Sequence, residues 1–326
     1  MHSELNQKEK ENAGITFAQW SYEKKEKNGR IYIEITGRSR IGSVLEIPEE
    51  LEELPVQGEK SDRILVESIG GHAFAGNDRI REIILPRTIR QLHPYAFYNC
   101  IHLQKLSLYD GIEDYYDGII KQCRSLSEIT IIFEQNNYSI LKELLADNDR
   151  TLHFVLCFPA EQEGKKEIHL TFPAYVYDFV EDVEARVLHH KIEGAGYPYR
   201  ECVTRKGVDY HAYDALFTQA SHEDYVTAAM IAFDRLCYPH ELSSLAHESY
   251  ENFLKENADR VLPDLIQAEK AEEISYLTAR SLIPKEVLEK ALLFAAERKA
   301  SWISAELMEY RRTHFSGQIR PEQFTL

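Results

Sequence analysis

Two spacings of apolar residues divide this chain. Over residues 68–132 they recur every 23 positions, and from about residue 173 they follow the 3.6-residue period of helices. The longer period emerges when SIGGHAFAGNDRIREIILP (68–86), QLHPYAFYNCIHLQKLSLY (91–109) and DYYDGIIKQCRSLSEITII (114–132) are aligned. Ile69, Leu92 and Tyr115 fall in register, as do Ala73, Ala96 and Ile119, and Phe74, Phe97 and Ile120. Asn77, Cys100 and Cys123 make a column of small side chains. Ile80, Leu103 and Leu126, then Ile83, Leu106 and Ile129, then Leu85, Leu108 and Ile131 complete the set.

Ile83 and Leu85 stand two apart, the period of a strand with one buried face. The rest of each unit must return the chain to start the next strand one rung along. A single unit cannot bury its apolar face, so stacked units are predicted to share a core beneath a parallel sheet. Leu152 and Phe154 are expected to continue the columns of Ile83 and Leu85. In the loop leading to them, YSILKELLADND (138–149) has the spacing of a short helix, and after them EIHLTFP (167–173) reads as a closing strand.

These units resemble the BspA-type bacterial leucine-rich repeats, which read roughly I-G-x-x-A-F-x-x-C-x-x-L-x-x-I-x-L-P. The segment IEITGRSRIGSVLEIPEELEELPV (33–56) is similar to that family's opening, with an I-P step and a P-V step, and QGEKSDRILVE (57–67) departs from it. The resemblance covers about residues 30–155. It implies a solenoid and says nothing specific of function. Many members are secreted adhesins, an activity not carried over here for want of an export signal.

The second spacing predicts helices over 176–191, 210–219, 222–236, 241–257, 260–270, 272–281, 284–299 and 301–312. Ser221, followed by Glu223 and Asp224, suits a helix start. Pro284 suits a first helical turn, and Pro239 and Pro263 suit boundaries. VLEKALLFAAERKASWISAELMEY (287–310) looks like an ankyrin helix pair, and 260–277 is a looser copy one residue out of step. The expected fold class is therefore α+β: a short leucine-rich-repeat solenoid with a parallel sheet, then an all-α domain of paired helices. The domains are a polar N-terminal segment, disordered in part (1–29), the solenoid with its closing strand (30–173) and the helical domain (174–326), ankyrin-like over 260–312.

Composition narrows the function. A formal net charge of −16 disfavours nucleic acid and anionic membrane as partners. No run of apolar residues is long enough to span a bilayer. MHSELNQKEKENAG lacks the form of a secretory signal, and the five cysteines contain no CxxC. Together these point to the cytoplasm. No nucleophile elbow, phosphate loop or HExxH framework is present. His189 and His190 are the one adjacent histidine pair, and on a helix they would diverge by about 100°. IEGAGYPYRE (192–201) reads as a connection between helices, with Tyr197, Tyr199 and Arg200 of the types that anchor interfaces or pack. No catalytic residue, metal or cofactor is assigned.

With Ile83 and Leu85 inward, their neighbours form outward ladders. Glu82, Lys105 and Glu128 make the first. Ile84, Ser107 and Thr130, with His153 next, make the second. Pro86, Tyr109 and Ile132 make the third. The expected function is that of a non-catalytic protein-interaction module or scaffold of the bacterial cytoplasm, binding through this face, through the helical grooves or through both, with Tyr197, Tyr199 and Arg200 as further candidates. One alternative is an enzyme or metal site near His189, His190, Tyr197 and Arg200. The other is the subunit of a structural homo-oligomer.

Overall fold

The computed structural model describes residues 19–52, 63–159, 166–182 and 187–315, with only the backbone of 178–182 and 187–191. Its contacts divide the chain into two compact units, Met1–Asp209 and Tyr210–Leu326. The sequence sets the change of period near Pro173; the division between units falls after Asp209.

In the first unit the 23-residue period becomes two stacks of strands. One sheet holds β3 (Val44–Glu46), β6 (Glu82–Ile84), β8 (Lys105–Tyr109), β10 (Glu128–Ile132), β11 (Leu152–Phe158) and β12 (Lys166–Phe172), adjacent in that order. All its pairs are parallel except β11 with β12, which closes the sheet antiparallel. The second sheet holds β1 (Trp20–Lys27), β2 (Arg30–Arg38), β5 (Arg63–Ile69), β7 (Gln91–Leu92) and β9 (Asp114–Tyr115), with β4 (Glu50–Glu52) beside β5. Within the segment 1–29, expected to be polar and disordered in part, residues 20–27 form β1, which pairs along its whole length with β2, and Trp20 is buried under the Arg38 guanidinium. Residues 1–18 lie outside the described residues, as do Pro55 and Val56 of the predicted P-V step.

The inward columns stack as rungs. Ile83, Leu106 and Ile129 are 0–2% exposed and directly paired. Phe154 and Leu156 continue these columns, so the expected pair Leu152 and Phe154 lies two residues early on the same strand. The phenyl rings of Phe74 and Phe97 stack at 5.7 Å. In the small-residue column, the Asn77 carboxamide accepts from the amides of Arg79 and Ile80. Cys100 and Cys123 instead donate their thiols to the carbonyls of Phe74 and Phe97 in the coil before. The hydrogen bond with Cys100, together with burial, pushes the Cys123 thiol up, so it stays a protonated donor.

Backbone conformation repeats as well. His72, Tyr95 and Gly118 have φ of +55°, +61° and +76°, and Gly76, Asn99 and Gln122 have φ of +71°, +55° and +65°. At Gly118 this conformation coincides with a close approach: a Cβ there would lie 2.4 Å from the Tyr95 ring. The bent chain turns a row of amides toward the next coil. His72, Phe74 and Gly76 donate to the carbonyls of Pro94, Ala96 and Tyr98, and Tyr95, Phe97 and Asn99 donate to those of Asp117, Ile119 and Lys121.

After the third unit the coil is replaced by α1 (Ser139–Asp147), as the spacing of 138–149 predicts. Its last residue, Asp147, takes over from the missing carbonyls. Its carboxylate accepts from Gly118 N at 2.9 Å, Ile120 N at 2.8 Å and the Tyr115 hydroxyl at 2.9 Å. Asp110, fully buried, accepts from the amides of Glu134, Gln135 and Asn137 and fixes the loop into α1.

Residues 176–191 are not the predicted helix. Residues 176–182 and 187–191 belong instead to two antiparallel paired strands, β13 (Val176–Asp182) and β14 (Val187–Glu193). Val176, Val180, Val187 and Ile192 are β-branched, which favours an extended backbone and disfavours a helix. The glycine-containing stretch that follows leads from a strand into α2 (Gly196–Glu201), so it does not connect two helices. Then β15 (Val203–Thr204) and β16 (Gly207–Val208) end the unit, with α2 and β15 packed on α1.

The second unit is all helical among its described residues: α3 (Tyr210–Ala215), α4 (Phe217–Glu223), α5 (Tyr225–Cys237), α6 (Ser244–Glu256), α7 (Ala258–Gln267), α8 (Ala271–Ala279), α9 (Lys285–Glu297) and α10 (Ser301–Phe315). Asp224, not Ser221, caps α5; its extended backbone lets the carboxylate accept from the amides of Val226 and Thr227. Pro284 is the residue before α9, and Pro263 lies within α7. The predicted pairing holds: α7 packs on α8, α9 on α10, α7 on α9 and α8 on α10. Glu269, Ser281 and Lys299 each adopt positive φ just after a helix. The following amides, of Lys270, Leu282 and Ala300, reach back to Leu265, Leu277 and Ala295, the bond pattern that ends a helix with a left-handed residue. In the core, Arg235 and Asp214 form a buried pair at 2.8 Å, and the Tyr250 hydroxyl also donates to Asp214.

Candidate functional site

The three outward ladders are present on the parallel sheet, with one change of membership. Glu82, Lys105 and Glu128 align as expected, and His153 joins this ladder because it pairs with Glu128. Val155 stands beside Thr130 in the ladder of Ile84 and Ser107. The shift follows from Phe154, which occupies the Ile129 column and so turns residues 153 and 155 outward. Tyr109 pairs with Ile132 in the third ladder. Lys105 donates to both carboxylate oxygens of Glu128 at 2.9 and 3.0 Å. The two isoleucines expected to be exposed, Ile84 and Ile132, are half-buried, as are Ser107, Tyr109 and Thr130. Neighbouring side chains of a ladder stand about 5 Å apart, so each shields part of the next.

Arg200 is a structural clasp. It is 6% exposed and donates to carbonyls on several segments of the first unit. Nε reaches Leu145 O at 3.2 Å, Nη1 reaches Pro173 O at 2.5 Å and Gly196 O at 3.0 Å, and Nη2 reaches Asn148 O at 3.1 Å and Arg150 O at 2.8 Å. The guanidinium also lies 4.7 Å from the Tyr175 ring centre. Burial pulls its pKa down to about 10. The five donors of a planar guanidinium suit it to the orphan carbonyls at the end of α1. Tyr199 is fully buried beside it, so neither residue is presented to a partner. Tyr197 is 38% exposed and meets the Tyr175 ring edge-on. No sequence signal distinguished Arg200 as a carbonyl clasp, because its acceptors come from four separate segments.

His189 and His190 stand on β14, paired with Val180 and Phe179, and their side chains lie outside the described residues. The five cysteines are free thiols; Cys100, Cys123, Cys157 and Cys202 are buried and Cys237 is half-buried. Burial, then the carboxylates of Glu273 and Glu272, pushes the Cys237 thiol up to about 12. No helix among the described residues is long and apolar enough to cross a membrane.

Residues 63–156 match the family model described as the BspA type leucine rich repeat region, in six copies. No curated protein matches the chain. The solved structures similar to it include a leucine-rich repeat protein from Bacteroides ovatus ATCC 8483, 24% identical over 35% of this chain and 30% of that one, with a TM-score of 0.28. A leucine rich repeat protein of T. pallidum is 22% identical over 34% of this chain and 50% of that one, with a TM-score of 0.27. A leucine rich cell surface protein from Faecalibacterium prausnitzii A2-165 is 18% identical over 35% of this chain and 31% of that one, with a TM-score of 0.27. The chain spans half or less of the length of each. Repeat regions of this family are in general binding modules.

Proposed function

Taking residues 63–156 as a BspA-type leucine-rich-repeat region, we propose that this chain is a protein-binding module that docks its partner on the outward face of the parallel sheet. The observation that carries this reading is the ladder face itself. Ile84, Ser107, Tyr109, Thr130 and Ile132 form a continuous patch of half-buried apolar and hydroxyl side chains, with the Lys105–Glu128 pair along one side. Tyr109 can supply a large contact area at low cost in side-chain entropy, with a hydroxyl for orientation. The exposed ion pair contributes little to stability and is suited to setting register with a partner. We further propose a reducing compartment, the cytoplasm, as its setting. Free thiols that serve as hydrogen-bond donors inside the coils support this reading.

The test is affinity capture from the native host with the wild-type chain and with Tyr109→Ala and Lys105→Glu variants, read by mass spectrometry. A partner held by the wild type and lost from both folded variants supports the sheet face. A partner retained equally by both sinks it.

A further inference from the structure

The last coil leaves one amide of its outward row unused. Gly76 and Asn99 donate to the next coil at 2.7 and 2.9 Å, and the equivalent residue of the third coil is Gln122. Asp147 takes Gly118 N and Ile120 N, four and two residues earlier, and Gln122 N donates to no carbonyl among the described residues. Gln122 lines a groove of about 460 Å³ at the end of the solenoid. Lys121, Arg124 and Arg150 line the same groove, are exposed, and form no ion pair among the described residues. Asp149 lines it as well, and the ring of Tyr175 forms part of its wall. Twenty-three residues before Lys121 and Arg124 stand Tyr98 and Ile101, so these cations belong to the last coil alone. Three cations against the two carboxylates of Asp147 and Asp149, with Asp147 already engaged by its own donors, give the lining a positive balance in a chain of net charge −16.

We propose that this groove is a binding site for an acidic peptide segment, with one carboxylate seated on Gln122 N and others held by Lys121, Arg124 and Arg150. The neighbouring amides already show the chemistry, because Asp147 seats a carboxylate across Gly118 N and Ile120 N. A second carboxylate on the next amide extends the same row, and cations within a Debye length reinforce it. The site is separate from the sheet face and stands or falls independently of it.

Fluorescence anisotropy of a labelled hexaglutamate peptide with the full chain tests the proposal. Saturable binding is expected, weakened at least tenfold by Lys121→Glu/Arg124→Glu and by Arg150→Glu, each verified as folded by circular dichroism. Gln122→Gly keeps the amide and relieves the positive φ, so binding should stay within twofold. Lys105→Glu, on the sheet face, should also leave it unchanged. Absence of binding, or binding unaffected by both groove variants, overturns the proposal. So does equal binding of a hexalysine peptide. Displacement by inorganic phosphate at the peptide's own concentration would reduce the site to a bare oxyanion seat and overturn the peptide assignment.

Discussion

The inner coils of the solenoid and the coil that ends it are held by different chemistry. Inner coils pass their amides to carbonyls one rung away, a backbone bond available to any sequence that adopts the turn. The last coil has no next rung, and the same row of amides is met by the side chain of Asp147. The carbonyls left at the end of α1 are met by another side chain, Arg200. Repetition therefore needs only the right apolar columns, whereas termination needs particular polar residues brought from a distance. This is the solenoid form of the capping problem that every helix and sheet edge faces.

The largest expected effect lies in the repeated part. Phe97→Ala removes a fully buried ring that stacks on Phe74 and should cost about 3–5 kcal/mol in urea unfolding. Arg200→Met keeps the apolar stem and removes every donor of the clasp. Buried carbonyls left without donors should make it cost roughly 2–4 kcal/mol. If Arg200→Met costs less than about 0.5 kcal/mol, termination does not depend on the clasp and the contrast with the inner coils fails. Gly118→Ala tests the turn between the two regimes. It introduces a Cβ into the Tyr95 ring at a residue with φ of +76°, and should cost roughly 1–3 kcal/mol.

The same contrast explains what could be read from the sequence. Columns such as Ile83–Leu106–Ile129 are visible because identical environments recur at a fixed interval. The period also locates α1 by its interruption. The closing strand is legible from EIHLTFP, though the column expected at Leu152 falls two residues later, at Phe154, where the loop length changes. Asp147 and Arg200 have no such periodic signal. Their roles arise from tertiary neighbours far apart in sequence, and Arg200 draws on carbonyls from residue 145 to residue 196. The strand pair β13 and β14 was obscured because a short apolar spacing fits helix and strand alike, and the β-branched residues decided it. In the ladder face, alternation gave which residues point outward but not how exposed they are: Ile84 and Ile132 are half-buried.

The smallest expected effect is the most specific to the comparison. A carbonyl and a carboxylate accept the same bonds, but only the carboxylate titrates. Burial pushes the Asp147 carboxyl above its ordinary value, and this outweighs the opposing pull of Ile120 N, Tyr115 and Gly118 N. A carboxyl whose pKa is raised on folding binds its proton more tightly in the native state. Its contribution is therefore largest below the ordinary carboxylate range and declines as pH rises toward the raised value. Asp147→Asn retains one acceptor oxygen and cannot titrate, so it should cost no more than about 1–2 kcal/mol. Its deficit relative to the wild type should shrink as pH rises through that window. Urea unfolding of both chains at pH values from 4 to neutral measures the difference. A deficit that grows with pH would show the carboxylate to be favoured by its donors over its burial, and the end of the solenoid would then be an anion-stabilising cradle as strong as its inner rungs.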